Sequence, residues 1–211
     1  MKKPIGGGSI ISAYIIDPIV KKLGNLFIKL PFTPNQITII SALVGISAGV
    51  LFILDYWILG ALLIFITMVL DGLDGEIARR KKMKSNYGCF LDSLLDRFVD
   101  ISIIFGIAYS STKFYSDIAL IIGFFSATFA GILSSYSSYL IKIVGNIEPC
   151  WENEKPKFSD NRDVRLFILI LGALGNVFVN WSALTSVLIV FILSFVKVIS
   201  RLFFYRNKLE R

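Results

Sequence analysis

The chain of 211 residues is 55% hydrophobic and only 18% charged, with a mean hydropathy of +0.72 and a formal net charge of +7. Soluble domains run nearer one quarter charged, and 18 Phe, 8 Tyr and 3 Trp exclude a disordered chain. The absence of histidine excludes a Ser-His-Asp triad, a histidine base and His-ligated zinc or haem, and Cys89 and Cys150 have no CxxC spacing.

Residues 1–30 form an N-terminal segment. Within it Ile10–Leu30 mixes Ile, Leu, Tyr and Phe with Asp17, Lys21, Lys22 and Lys29, which predicts an amphipathic helix lying on the membrane surface. A hydrophobic core followed by a small-residue cleavage site is lacking, so no removable signal peptide is expected. Residues 31–211 read as one membrane domain. A crossing helix needs about 20 mostly apolar residues, and six stretches qualify. Asn35–Leu54 is opened by the Thr33-Pro34 pair. Trp57–Ala78 is apolar until Asp71, and Gly88–Ser110 carries Asp92, Asp96, Arg97 and Asp100. Ser116–Val144, Asp163–Asn180 and Ser182–Tyr205 complete the set. The expected fold is an all-α, multi-pass integral membrane protein with six transmembrane helices and an N-terminal interfacial helix.

The basic residues set the orientation. The expected outer connections are Asp55-Tyr56, Ser111–Tyr115 and the turn at Asn180, and of 22 Lys and Arg only Lys113 falls in them. The positive-inside rule then places both termini in the cytoplasm. The charge of +7 is a topological device with some attraction to anionic lipids, and no nucleic-acid partner is expected.

Six of the 15 acidic residues lie between Asp71 and Asp100. An ionisable group inside a membrane costs at least about 2.5 kcal/mol and marks function. At 1.5 Å per residue Asp71 lies roughly 21 Å below Trp57, about 9 Å short of the inner face. Asp92 and Asp96 lie roughly 6 and 12 Å above that face, so the two sets meet at one level. Asp71 and Asp74 share one helix face at i, i+3, and Asp92 and Asp96 share another at i, i+4. Four converging carboxylates need cations, and hard oxygen ligands suit Mg²⁺, Mn²⁺ or Ca²⁺, with two ions fitting the ligand count. Gly72, Gly75 and Ala78 leave room beside them, and the basic run Arg79–Lys84 at the inner mouth attracts phosphate. Metals open to the cytoplasm and ringed by cations suggest phosphoryl chemistry.

The run Asp71-Gly-Leu-Asp74-Gly75-Glu-Ile-Ala78-Arg79, followed after eight residues by Gly88, then Asp92 and Asp96, resembles the DxxDGxxAR…GxxxDxxxD motif of the CDP-alcohol phosphotransferases without a departure. The resemblance implies a homodimeric membrane enzyme in which Asp71, Asp74, Asp92 and Asp96 hold two Mg²⁺ or Mn²⁺ ions. Asp96 would also serve as the general base on an alcohol acceptor. Asn35, Thr38, Gly75, Arg79 and Ser85 would bind the CDP-linked donor, whose β-phosphorus the acceptor attacks with release of CMP. Lys142, Arg165 and Arg201, near the inner ends of the later helices, form a candidate pocket for a phosphate on the acceptor, which favours inositol phosphate or glycerol phosphate.

The stretches Asp71–Asp100 and Arg162-Asp163-Val-Arg165-Leu-Phe are similar to archaeal phosphatidylinositol-phosphate-type and di-myo-inositol-phosphate-phosphate synthases. The donor expected is a CDP-lipid such as CDP-diacylglycerol or CDP-archaeol, in phospholipid biosynthesis. The alternative is CDP-inositol with inositol phosphate. An ion-coupled transporter is the rival of another class, and it gives no reason for Gly75, Ala78, Arg79 and Gly88 at these offsets. Gly45 and Gly49 form a GxxxG pattern of a kind that chance often produces in apolar helices.

Overall fold

A computed structural model describes residues 9, 11–145 and 161–209, which contain helices and connecting turns but no strand. After a π-helical turn at Ser12–Ile16 come α1 (Asp17–Phe27), α2 (Pro34–Ile53), α3 (Trp57–Arg80) and α4 (Asn86–Ser126). A second π segment, Ala127–Leu133, leads into α5 (Ser134–Gly145), and α6 (Arg162–Asn176) and α7 (Ser182–Leu209) follow. Four continuous helical runs are long and apolar enough to cross a membrane: Pro34–Ile53, Trp57–Arg80, Asn86–Ile141 and Ser182–Tyr205. Large apolar side chains such as Leu43, Leu62, Phe98, Ile118 and Phe124 are exposed on the outside, as lipid-facing residues are.

The expected connection at Ser111–Tyr115 is helical instead. The hydroxyls of Ser111 and Thr112 bond back to the carbonyls of Ile107 and Tyr109, so these polar residues fit the helix. The 56-residue run reverses at a single residue, Ser116, with φ 51° and ψ −150°. Its two arms then pack side by side, with Gly123 against Ala108 and Gly131 against Ile101. The last apolar stretch before α7 is also shorter than expected: α6 ends at Asn176, and the carboxamide of Asn176 accepts from the Ala183 amide across the turn to α7.

Two helices end in Schellman caps built without glycine. At the end of α2, Tyr56 N–H donates to Leu51 O and Asp55 N–H to Phe52 O, with Asp55 at φ 63°. At the end of α3, Met83 N–H donates to Ala78 O and Lys82 N–H to Arg79 O, with Lys82 at φ 55°. The Asp55 carboxylate also binds Lys113 and Ser110; burial pulls its pKa upward, but these bonds outweigh it and hold the group below its ordinary value.

Small residues set the spacing of the central helices. A methyl group on Gly49 would overlap the backbone of Ser102, and one on Gly106 would overlap the backbone of Gly49. Gly45 receives Val99 and Thr67 in the same way. The GxxxG pattern of the first span is therefore used inside the chain, to let α4 approach α2 at backbone contact. Around this seam lie Phe52, Ile64, Ile103, Ile104 and Ile107, all fully buried. On the far side Val20 of α1 sits against Gly72 of α3, and Ser9 donates to Asp163 of α6 at 3.1 Å.

Candidate active site

Three helix ends meet where the acidic residues lie. Thr33 and Gln36 form a capping box with Pro34 at the first helical position, which starts α2 sharply and carries Asn35 and Thr38 on its first turns. The cap at Lys82 turns the chain from α3 into α4 within five residues, and the Ser85 hydroxyl accepts from Gly88 N–H to start α4. A methyl group on Gly88 would lie 3.1 Å from both Asn35 Oδ1 and Ser85 Oγ, so a larger residue would push these side-chain ends aside by a few tenths of an ångström. The expected donor-binding residues Asn35 and Ser85 are thus neighbours, with the hydroxyl of Ser85 engaged as a cap.

Asp71, Asp92 and Asp96 each place a carboxylate oxygen within 4.8 Å of the others, and all three are half-buried. Asp74 is set apart from this trio. It is buried, and its Oδ2 accepts from Thr38 Oγ1 at 2.6 Å. Of the four carboxylates expected to converge, three therefore meet in one cluster and the fourth, Asp74, is bound to Thr38 of α2. Gly75 faces open space, the nearest side-chain atom to a methyl there being Arg79 Nη1 at 3.8 Å. The room at Gly72, by contrast, is taken up by Val20.

Glu76 is buried rather than solvated, and it holds Arg79 at 2.9 Å and Arg80 at 2.6 Å. Lys81 binds the carbonyls of Leu30 and Phe32 at 2.7 and 2.9 Å, fastening the chain before α2 to the end of α3. The basic run is thus partly structural.

Arg162, the first residue of α6, reaches into the carboxylates. Its Nη1 lies 2.9 Å from Asp71 Oδ1 and 2.6 Å from Asp96 Oδ1, and its Nε donates to Asp100 Oδ1 at 3.1 Å. Asp100 also meets Arg165 at 3.4 Å. That Arg162 enters the cluster was not legible in the sequence, because α6 is remote in the chain. Arg165 and Arg201 are both buried and converge on one stretch of chain, Arg165 on the Ala130 carbonyl and Arg201 on the Ser134 carbonyl and Ser137 Oγ. Arg97 binds the Gly131 carbonyl and Ser135 Oγ nearby. Lys142 lies in α5, and its side chain is outside the described residues.

An all-carboxylate cluster of this spacing fits hard divalent cations, which take oxygen ligands at about 2.0–2.6 Å. The half-buried Asp71, Asp92 and Asp96 would be the ligands, next to the open space at Gly75.

Residues 32–145 match the family model described as CDP-alcohol phosphatidyltransferase. A bifunctional IPC transferase and DIPP synthase of Aquifex aeolicus is 30% identical over 188 residues, which are 85% of this chain and 39% of that protein. The archaetidylinositol phosphate synthase of Pyrococcus horikoshii is 29% identical over 192 residues, 90% of this chain and 93% of that one. The chain therefore spans about two fifths of the bifunctional relatives and nearly all of the second kind. Among solved structures, the phosphatidylinositol phosphate synthase of Mycobacterium tuberculosis in complex with manganese and citrate has the same fold, with a TM-score of 0.70 at 20% identity over 90% of this chain and 88% of that one. Its form with CDP-DAG bound gives 0.66 at 21% identity over 88% and 92%.

Proposed function

The chain belongs to the CDP-alcohol phosphatidyltransferase family, and we propose that it transfers a substituted phosphate group from a CDP-linked lipid to the hydroxyl of a phosphorylated polyol, releasing CMP. The observation that carries this reading is the meeting of Asp71, Asp92 and Asp96 beside the open space at Gly75 and the paired starts of α2 and α4. Helix N-termini favour phosphate, so Asn35 and Ser85 at the starts of α2 and α4 line the donor diphosphate while Gly75 admits the nucleotide and Arg79 neutralises it. Thr38 holds Asp74 in its rotamer and thereby orients the donor side of the site. Two divalent cations, Mg²⁺ or Mn²⁺, when bound by Asp71, Asp74, Asp92 and Asp96, would neutralise the diphosphate and polarise its phosphorus.

Asp96 takes the proton of the acceptor hydroxyl on a carboxylate oxygen. The acceptor oxygen bonds to the β-phosphorus, the bond from that phosphorus to the bridging oxygen breaks, and CMP departs with the electron pair. Arg165, Arg201 and Lys142 bind the acceptor phosphate. An acceptor such as inositol phosphate and a lipid donor both accord with the name of the archaetidylinositol phosphate synthase that this chain matches along 93% of its length. The bifunctional relatives favour a second reading, CDP-inositol with inositol phosphate.

Counting the two arms on either side of Ser116 separately, and α6 as a crossing, gives six spans. Both termini and the carboxylates then lie on the cytoplasmic side, with α1 along the interface, and the protein works as a homodimer in the membrane. The test is CMP release by purified protein in detergent with Mn²⁺ or Mg²⁺, crossing CDP-diacylglycerol, CDP-archaeol and CDP-inositol with inositol phosphate and glycerol phosphate. Release from one pair, lowered at least about a thousandfold by Asp96→Asn, is expected for loss of the base. Release that survives this substitution removes Asp96 from its role, and no binding of CDP or metal at all removes the site.

A further inference from the structure

Arg162 reaches two of the three carboxylates that would hold a metal ion. Its Nη1 lies within 2.9 Å of one oxygen of Asp71 and one of Asp96, the residues that also furnish the carboxylate cluster. A divalent cation on those oxygens would approach to about 2.1 Å, which leaves no room for a guanidinium nitrogen at the same point. The third contact of the side chain is of a different kind. Nε binds Asp100, which lies outside the cluster and is itself buried between Arg162 and Arg165. Arg162 can therefore give up Asp71 and Asp96 while its Nε stays bound to Asp100.

We propose that Arg162 is the resident counter-cation of the metal-free site, holding Asp71 and Asp96 together until a divalent ion displaces it, and that it sets the affinity of the site for metal. The proposal rests on the reading of these carboxylates as metal ligands. Its physical basis is the cost of like charges in a water-poor setting: carboxylates brought within 4.8 Å of one another repel strongly unless a cation lies among them. Arg162 is the first residue of α6, so the same contact ties α6 to α3 and α4. Because the guanidinium and the metal would compete for the same two carboxylates, Asp71 and Asp96, each weakens the binding of the other. Arg162 is thus a positioning residue, and metal entry frees its Nη1 end inside the site.

The readout is Mn²⁺ binding to the full-length protein in detergent, followed by the electron paramagnetic resonance of free Mn²⁺, without any substrate. Arg162→Gln is expected to bind Mn²⁺ about tenfold more tightly than the unaltered protein. Arg162→Lys, which keeps the charge but has a single ammonium in place of the fork, is expected to fall between the two. In the unaltered protein, labelling of Arg162 by phenylglyoxal, quantified by peptide mass spectrometry, is expected to rise severalfold when Mn²⁺ is added; this needs no variant to fold. Equal or weaker Mn²⁺ binding by Arg162→Gln, or labelling that falls with Mn²⁺, overturns the proposal. Asp71→Asn separates the two readings: if it abolishes Mn²⁺ binding while Arg162→Gln leaves it unchanged, the metal site stands and the exchange fails. Undiminished Mn²⁺ binding by Asp71→Asn removes both.

Discussion

At the scale of single residues, the hydrogen bond from Thr38 to Asp74 shows how a motif carboxylate is held from outside its own motif. Both groups are buried, and the 2.6 Å contact joins the first turns of α2 to α3. Thr38→Val keeps the shape and removes the donor, leaving a buried carboxylate oxygen with one fewer bond. We expect this to lower CMP release about tenfold to a hundredfold, as loss of an orienting partner does, and to cost about 1–3 kcal/mol in detergent stability. Rates measured at saturating metal will show whether the loss persists when the ion is supplied in excess. Thr38 was legible as a site residue only through the family resemblance. Nothing in a lone Thr on an apolar helix specifies which carboxylate it meets.

Among elements, the turns and the helix seams make separate predictions. Lys82 adopts φ 55° to close the cap of α3, a conformation that costs a non-glycine residue about 1 kcal/mol. Lys82→Gly should therefore raise the stability of the protein by about that amount, read as a higher midpoint in thermal unfolding. Gly49 makes the opposite case. Its neighbour is the backbone of Ser102, which cannot move aside as a flexible side chain could. Gly49→Val is expected to destabilise the protein by about 3 kcal/mol through overpacking, seen as a fall in the same midpoint. The reversal falls at Ser116, where the next span was expected to start; what patterning missed is that Ser111–Tyr115 looks like a polar connection yet stays helical, with the Ser111 and Thr112 hydroxyls satisfied within the helix.

For the molecule as a whole, the carboxylate cluster joins α3 to α4 and, through Arg162, to α6. An ion bound there stabilises the assembled bundle and has no counterpart in the unfolded chain. At about a hundred times its dissociation constant, Mn²⁺ should add about 2.7 kcal/mol. Thermal unfolding in detergent with Mn²⁺ and with EDTA measures the increment, and Asp71→Asn should abolish it. The buried cations at the same end, Arg165 and Arg201, are spent partly on the carbonyls of Ala130 and Ser134, at and just beyond the π segment. A π turn leaves backbone acceptors poorly matched along the helix, and the two arginines satisfy them.

The amino-acid sequence by itself determined the class of the fold, the helices that carry Asp71, Asp74, Asp92 and Asp96, and the meeting of Asp71, Asp92 and Asp96. These follow from local quantities: apolar run length, the rise per residue, and the i, i+3 and i, i+4 spacings that put side chains on one face. The tertiary structure alone decided that Gly45 and Gly49 face α4, that Val20 fills the space at Gly72, that Asp74 turns to Thr38, and that Arg162 enters the carboxylates. Each of these contacts joins residues far apart in the chain, and a helix presents every face to some neighbour. Which neighbour it meets depends on how closely the backbones can approach, a property of two packed surfaces that neither sequence segment carries alone.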